Sequence, residues 1–104
     1  MSAVSLKLQL IKRENEGELL MIGRIDSSNS ADAENIMLGL IDRFDTIILN
    51  MKELQYISSS GLRVLKQMYI KSRRQHKEIK IKNASKFVME TFEMTGFAGL
   101  FKFM

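Results

Sequence analysis

The chain has 104 residues, 45% of them hydrophobic and 27% charged, with no cysteine, no proline and a formal net charge of +4. That length suits one domain around one core, and the missing cysteines exclude disulfides and thiolate metal sites, in accord with a reducing compartment. No apolar run approaches the roughly 20 residues that span a bilayer, and MSAVSLKLQLIKRE lacks the apolar core and cleavage site of a secretion signal, so the expectation is a cytoplasmic protein without membrane insertion.

Residues 4–11, VSLKLQLI, place Val4, Leu6, Leu8 and Leu10 in strict alternation, the pattern of a half-buried strand. ENEG (14–17) is a turn and ELLMIGRI (18–25) a second strand, which together predict a hairpin. DSSNSADAE (26–34) is then a loop feeding a helix, with Ser30 as its expected N-cap and Asp32 and Glu34 suited to the positive first turn. Ala33, Ile36, Met37, Leu40, Ile41 and Phe44 recur at helical spacing, so this helix should end near Phe44. TIILNM (46–51) is a nearly all-apolar run of the kind found in central strands.

A second helix is expected from about Ser60 to Gln75, with Leu62, Leu65, Met68, Tyr69 and Ser72 facing inward. EIKIKN (78–83) alternates again, with Ile79 and Ile81 inward. A third helix over 85–95 begins at a capping Ser85 and buries Phe87 or Val88, together with Thr91, Phe92 and Met94. Gly96 suits a left-handed stop, and LFKFM closes the chain as a short strand. The order β-β-α-β-α-β-α-β predicts an α/β fold, a mixed β-sheet packed with helices through right-handed crossovers. Met37, Met68, Met89 and Met94 fall on or near helical stripes as core filler, a Met-rich binding face being the other reading.

The charge is uneven. Residues 1–60 hold six Lys and Arg against nine Asp and Glu, and residues 61–104 hold ten against three. The basic half centres on KSRRQHKEIKIK (71–82), which reads first as a solvated helix end complementing the C-terminal dipole. No aromatic residue interleaves it, so direct nucleic-acid binding ranks last among the functions considered.

The junction YISSSGLRVL (56–65) carries more hydroxyls than a helix start requires. Ser59 or Ser60 suffices as a cap, and Gly61 gives room where backbones crowd. A catalytic serine needs a base in reach, yet the one histidine, His76, lies about 16 residues along the same helix, roughly 25 Å away. The stretch also lacks the hydrolase elbow and the phosphate-cradling loop, and scattered carboxylates make no metal cluster. A phosphoacceptor survives, because the free amides of a helix N-terminus stabilise an added phosphate.

Here the sequence resembles the STAS domains, and within them the bacterial anti-sigma factor antagonists. IILNMKELQYISSSGLRVL (47–65) resembles the family's apolar strand, loop and Asp-Ser-Ser-Gly-Leu turn. GRID (23–26) resembles the entry to its first helix, and FEMTGFAGLFKF (92–103) its closing helix and last strand. The resemblance implies one STAS domain over 1–104, a switch and kinase substrate that is not itself an enzyme and needs no cofactor. It makes Ser59 the phosphoacceptor, with Asp26, Ser27, Ser28, Ser58, Ser60, Gly61 and Leu62 lining the partner-binding surface. The implied partner is an anti-sigma factor that is also a serine kinase, with a serine phosphatase reversing the mark.

Three departures stand out. Ser58 replaces the usual aspartate, which makes Ser58 the alternative acceptor; Arg24 brings a base to a position often acidic or neutral; and the family's further C-terminal helix is not in the sequence. The rival reading is a STAS scaffold that binds without phosphorylation, as a subunit of a sensory or transport complex.

Overall fold

A computed structural model describes residues 5–104, so Val4, expected in the first strand, lies outside the described residues. The chain runs β1 (Leu6–Arg13), β2 (Glu16–Ile25), α1 (Ser30–Arg43), β3 (Thr46–Ile57), α2 (Ser59–Arg74), β4 (Glu78–Lys82), α3 (Lys86–Thr95), a 3₁₀ turn at Phe97–Gly99, and β5 (Lys102–Phe103). The strands form one sheet in the order β1-β2-β3-β4-β5. β1 and β2 make the antiparallel hairpin, and every later pairing is parallel, as the mixed α/β reading requires.

Register explains the patterning. Leu19, Leu49 and Ile81 lie side by side across β2, β3 and β4 and are all buried. The neighbouring row, Glu18, Ile48 and Lys80, points to the opposite face because successive side chains alternate. The first face is covered by Ala33, Met37, Leu40 and Ile41 of α1, by Leu62, Leu65 and Met68 of α2, and by Val88 and Phe92 of α3. Burial of each such Leu, Ile, Met or Phe stabilises the fold by about 1.5–3 kcal/mol. Gly17 sits in β2, one residue before Glu18, because a Cβ there would lie 2.6 Å from the Phe44 ring, which seals the end of α1.

The structure corrects several details. The N-cap of α1 is Asn29, not Ser30, and it makes no capping bond of its own because its side chain is engaged elsewhere. Ile36 is 51% exposed: it follows the stripe but sits one residue, about 100° of helix, from the buried Met37. In α3, Val88 and Phe92 form the buried pair, while Phe87 is 52% and Met94 88% exposed. Met94 is two residues past Phe92 and so on nearly the opposite side of the helix. β3 runs on to Ile57, six residues beyond the apolar TIILNM run.

Polar pairing folds the basic half onto the acidic half. Lys71 bonds Asp42 at 2.9 Å and the Leu38 carbonyl at 3.0 Å, and Lys77 bonds the Phe44 carbonyl at 3.0 Å beside Asp45. Glu18, only 3% exposed on the far face of the sheet, accepts from Arg13 at 2.8 Å and Asn50 at 2.9 Å, with Lys82 at 3.6 Å. The Arg13 hydrogen bond is the main reason its carboxyl is held below the ordinary value. Among the described residues no helix is long and apolar enough to cross a membrane.

Candidate functional site

Because β2 and β3 are parallel neighbours, the loops that leave them open at the same end of the sheet. The first is Asp26–Asn29 and the second is the serine turn, joined where the Ser58 amide donates to the Ile25 carbonyl at 3.0 Å. The first loop is built from its own side chains. Asp26 Oδ1 accepts from the Ser28 amide at 2.9 Å and the Ser28 hydroxyl at 2.6 Å. These bonds, that hydroxyl's first, hold the Asp26 carboxyl below its ordinary value. Asn29 ties the loop down, donating to Ser5 Oγ at 2.8 Å and the Arg24 carbonyl at 2.9 Å while its Oδ1 accepts from the Asp26 amide at 2.9 Å.

In the second loop the three serines have three different environments. Ser58, and neither of its neighbours, caps α2: its Oγ accepts from the Gly61 amide at 3.2 Å. That Oγ also lies 2.7 Å from Ser60 Oγ. Ser58 and Ser60 are half-buried. Ser59, the first residue of α2, is exposed, and its hydroxyl has no hydrogen bond within the described structure. Gly61 is buried, because a Cβ there would lie 2.8 Å from Ile57 and 2.9 Å from Ile25. It lets the first turn of α2 sit down on the ends of β2 and β3. Gly61 therefore offers no surface of its own, and Leu62, 7% exposed, reaches the surface only as a wall of a hollow beside Ser59.

A neighbouring patch was not legible in the sequence. The Arg24 guanidinium lies 4.4 Å from the centre of the Tyr56 ring, and Tyr56 stacks on Phe87 at 6.4 Å and 25°. The parallel register that pairs Arg24 with Tyr56 brings the first two together, and the start of α3 adds the third. Arg24 and Phe87 are exposed, so the stack presents a cationic and aromatic surface at one end of the domain. His76 lies beyond the far end of α2, in the wall of a hollow of about 670 Å³, and not near the serines.

This geometry has known counterparts. The STAS domain family model matches residues 6–104. The chain belongs to the STAS domain family. Among proteins similar to this STAS domain is BtrV of Bordetella bronchiseptica, provisionally named an anti-sigma factor antagonist, 28% identical over 97 residues that cover 92% of this chain and 84% of that protein. The crystal structure of an anti-sigma factor antagonist from Mycobacterium paratuberculosis superposes with a TM-score of 0.85 at 16% identity, covering 99% of this chain and 89% of that one. The anti-sigma factor antagonist SpoIIAA in its unphosphorylated form gives 0.73 at 17% identity over 95% of this chain and 86% of that one. SpoIIAA in its phosphorylated form, there called a Bacillus cell fate determinant, gives 0.72 at 17% identity, over 95% and 90% of the two chains. At these identities the structures establish the shared fold.

Proposed function

We propose that this STAS domain is an anti-sigma factor antagonist switched by phosphorylation of Ser59. With its hydroxyl free, it binds an anti-sigma factor that is also a serine kinase and so frees a sigma factor for transcription. With Ser59 phosphorylated it lets go, and a serine phosphatase restores it. The domain is the substrate of this chemistry and not its catalyst. The observation that carries the reading is the exposed, unbonded hydroxyl of Ser59, standing between two serines that hold each other. It is further supported by the naming of BtrV and by SpoIIAA having been solved with and without phosphate.

The missing aspartate does not weaken the turn. Asp and Ser cap helices about equally well, and Ser58 fills the cap position, which favours Ser59 over Ser58 as acceptor. The docking surface then comprises Ser59 with Ser58 and Ser60, Leu62 in the wall of the adjoining hollow, and the Asp26-Ser27-Ser28 loop, with Gly61 shaping the turn from beneath. A phosphate placed against a partner built for a neutral hydroxyl costs desolvation and repulsion, several kcal/mol at an uncompensated interface.

The test is to recover the protein from its native cells with whatever it holds, and to map phosphate on the peptide spanning Tyr56 to Arg63 in the free and partner-bound pools. Phosphate on Ser59 in the free pool only is expected. A stable partner with no phosphate in either pool would overturn the switch and favour the phosphorylation-independent scaffold.

A further inference from the structure

Ser59 shares its hollow with two cations. Ser59, Leu62, Arg63, Lys66, Gln67 and Phe97 line a shallow depression of about 460 Å³. Arg63 is four residues after Ser59 on α2, so the two Cβ atoms lie about 5–6 Å apart on one face of the helix. Neither Arg63 nor Lys66 takes part in an ion pair among the described residues, whereas Lys71, Lys77, Lys80, Lys82 and Lys102 all do. The first turn of α2 carries no acidic residue to compete for them. Two long cationic side chains thus stand unspent around the one hydroxyl of the turn that has no bonding partner.

We propose that Arg63, assisted by Lys66, is an intramolecular clamp for a phosphomonoester on Ser59. Its guanidinium takes the phosphoryl oxygens in charge-assisted hydrogen bonds over the apolar floor given by Leu62 and Phe97. The clamp gives the phosphorylated form a defined surface in which the new charge is partly neutralised from within. The proposal rests on Ser59 as acceptor, but its test is independent of any kinase.

The experiment installs phosphoserine at position 59 during translation and follows its second ionisation by ³¹P NMR titration in the otherwise unaltered chain, in Arg63→Gln, in Lys66→Gln and in Arg74→Gln. Arg74 is exposed at the opposite end of α2 and serves as the control for net charge. The titration midpoint is expected to rise by about half a unit on Arg63→Gln, by less on Lys66→Gln, and not at all on Arg74→Gln. The midpoint in the unaltered chain is expected below the ordinary phosphoserine value of about 6. An Arg63→Gln midpoint equal to that of the unaltered chain, or a shift matched by Arg74→Gln, would overturn the clamp. Neither result touches the switch, which is tested separately by the phosphate map of the free and partner-bound pools.

Discussion

The hydroxyl oxygens of Ser58 and Ser60 lie 2.7 Å apart, and this pairing leaves Ser59 as the odd member of the triplet. Ser58 Oγ also receives the Gly61 amide, so removing it frees a helix-terminal donor and strands Ser60. Ser58→Ala is expected to cost about 1 kcal/mol of stability, the usual value of a lost cap. Ser59→Ala breaks no bond in the described structure and should stay within about 0.5 kcal/mol of the parent. Urea unfolding of the two variants checks this, and equal losses would mean that the two serines share the cap.

Gly61 is a packing requirement. A methyl at this position would lie 2.8 Å from Ile57 Cγ1 and 2.9 Å from Ile25 Cγ2, both in buried side chains. Gly61→Ala removes the entropic penalty of glycine in a helix but forces α2 away from the sheet, a net destabilisation of about 1–3 kcal/mol. The amide spectrum of such a variant should shift along both Ile25–Asn29 and Ile57–Leu62. Shifts confined to α2 would show that the two loops are not coupled through this contact.

What could be read in advance was set by single elements, and what could not was set between them. The β1 alternation and the Leu40/Ile41 stripe are local, so both appear in the sequence as in the structure. The second half of β3 was hidden because register shifts opposite Leu20–Ile22 and Gly23–Arg24 break the alternation that would have marked KELQYI as strand. The cap of α2 is Ser58 and neither Ser59 nor Ser60, because three consecutive serines offer equivalent oxygens and only the fold decides which one meets the Gly61 amide. Glu18 gave no signal at all: its burial depends on Arg13, Asn50 and Lys82, contributed by three strands. The Arg24, Tyr56 and Phe87 stack escaped for the same reason.

Glu18 makes acid stability a probe of the sheet's far face. Its carboxyl titrates below the ordinary 4.5 when folded, so the unfolded chain binds the proton more readily. The contribution is therefore complete above about 4.5 and is lost as pH falls through the lower folded value. Glu18→Gln keeps the shape but loses the charge, and should cost about 1–3 kcal/mol near neutrality. Below pH 4 the gap between the variant and the parent should narrow. A constant gap from pH 7 to pH 3 would show that Glu18 acts through packing and not through its charge.

The exposed stack separates binding from folding most sharply. Phe87 is 52% exposed and covers Tyr56 on one side, so Phe87→Ala gives up one aromatic contact, about 0.5–1.5 kcal/mol, and leaves the core closed. Exposed aromatic and Arg side chains are the residue types that dominate binding energy once a partner desolvates them. If this end of the domain meets the proposed anti-sigma factor, Phe87→Ala and Arg24→Ala should each weaken its binding about tenfold or more while the melting transition stays cooperative. Ser59→Asp should weaken it to at least the same degree by bringing a charge to the turn. The three variants need to be compared against one partner in one titration series. Loss with Ser59→Asp but not with Phe87→Ala or Arg24→Ala would confine the interface to the serine turn and the Asp26 loop. Loss with Phe87→Ala and Arg24→Ala but not with Ser59→Asp would instead describe a partner that docks beside Ser59 without reading it, as a scaffold would.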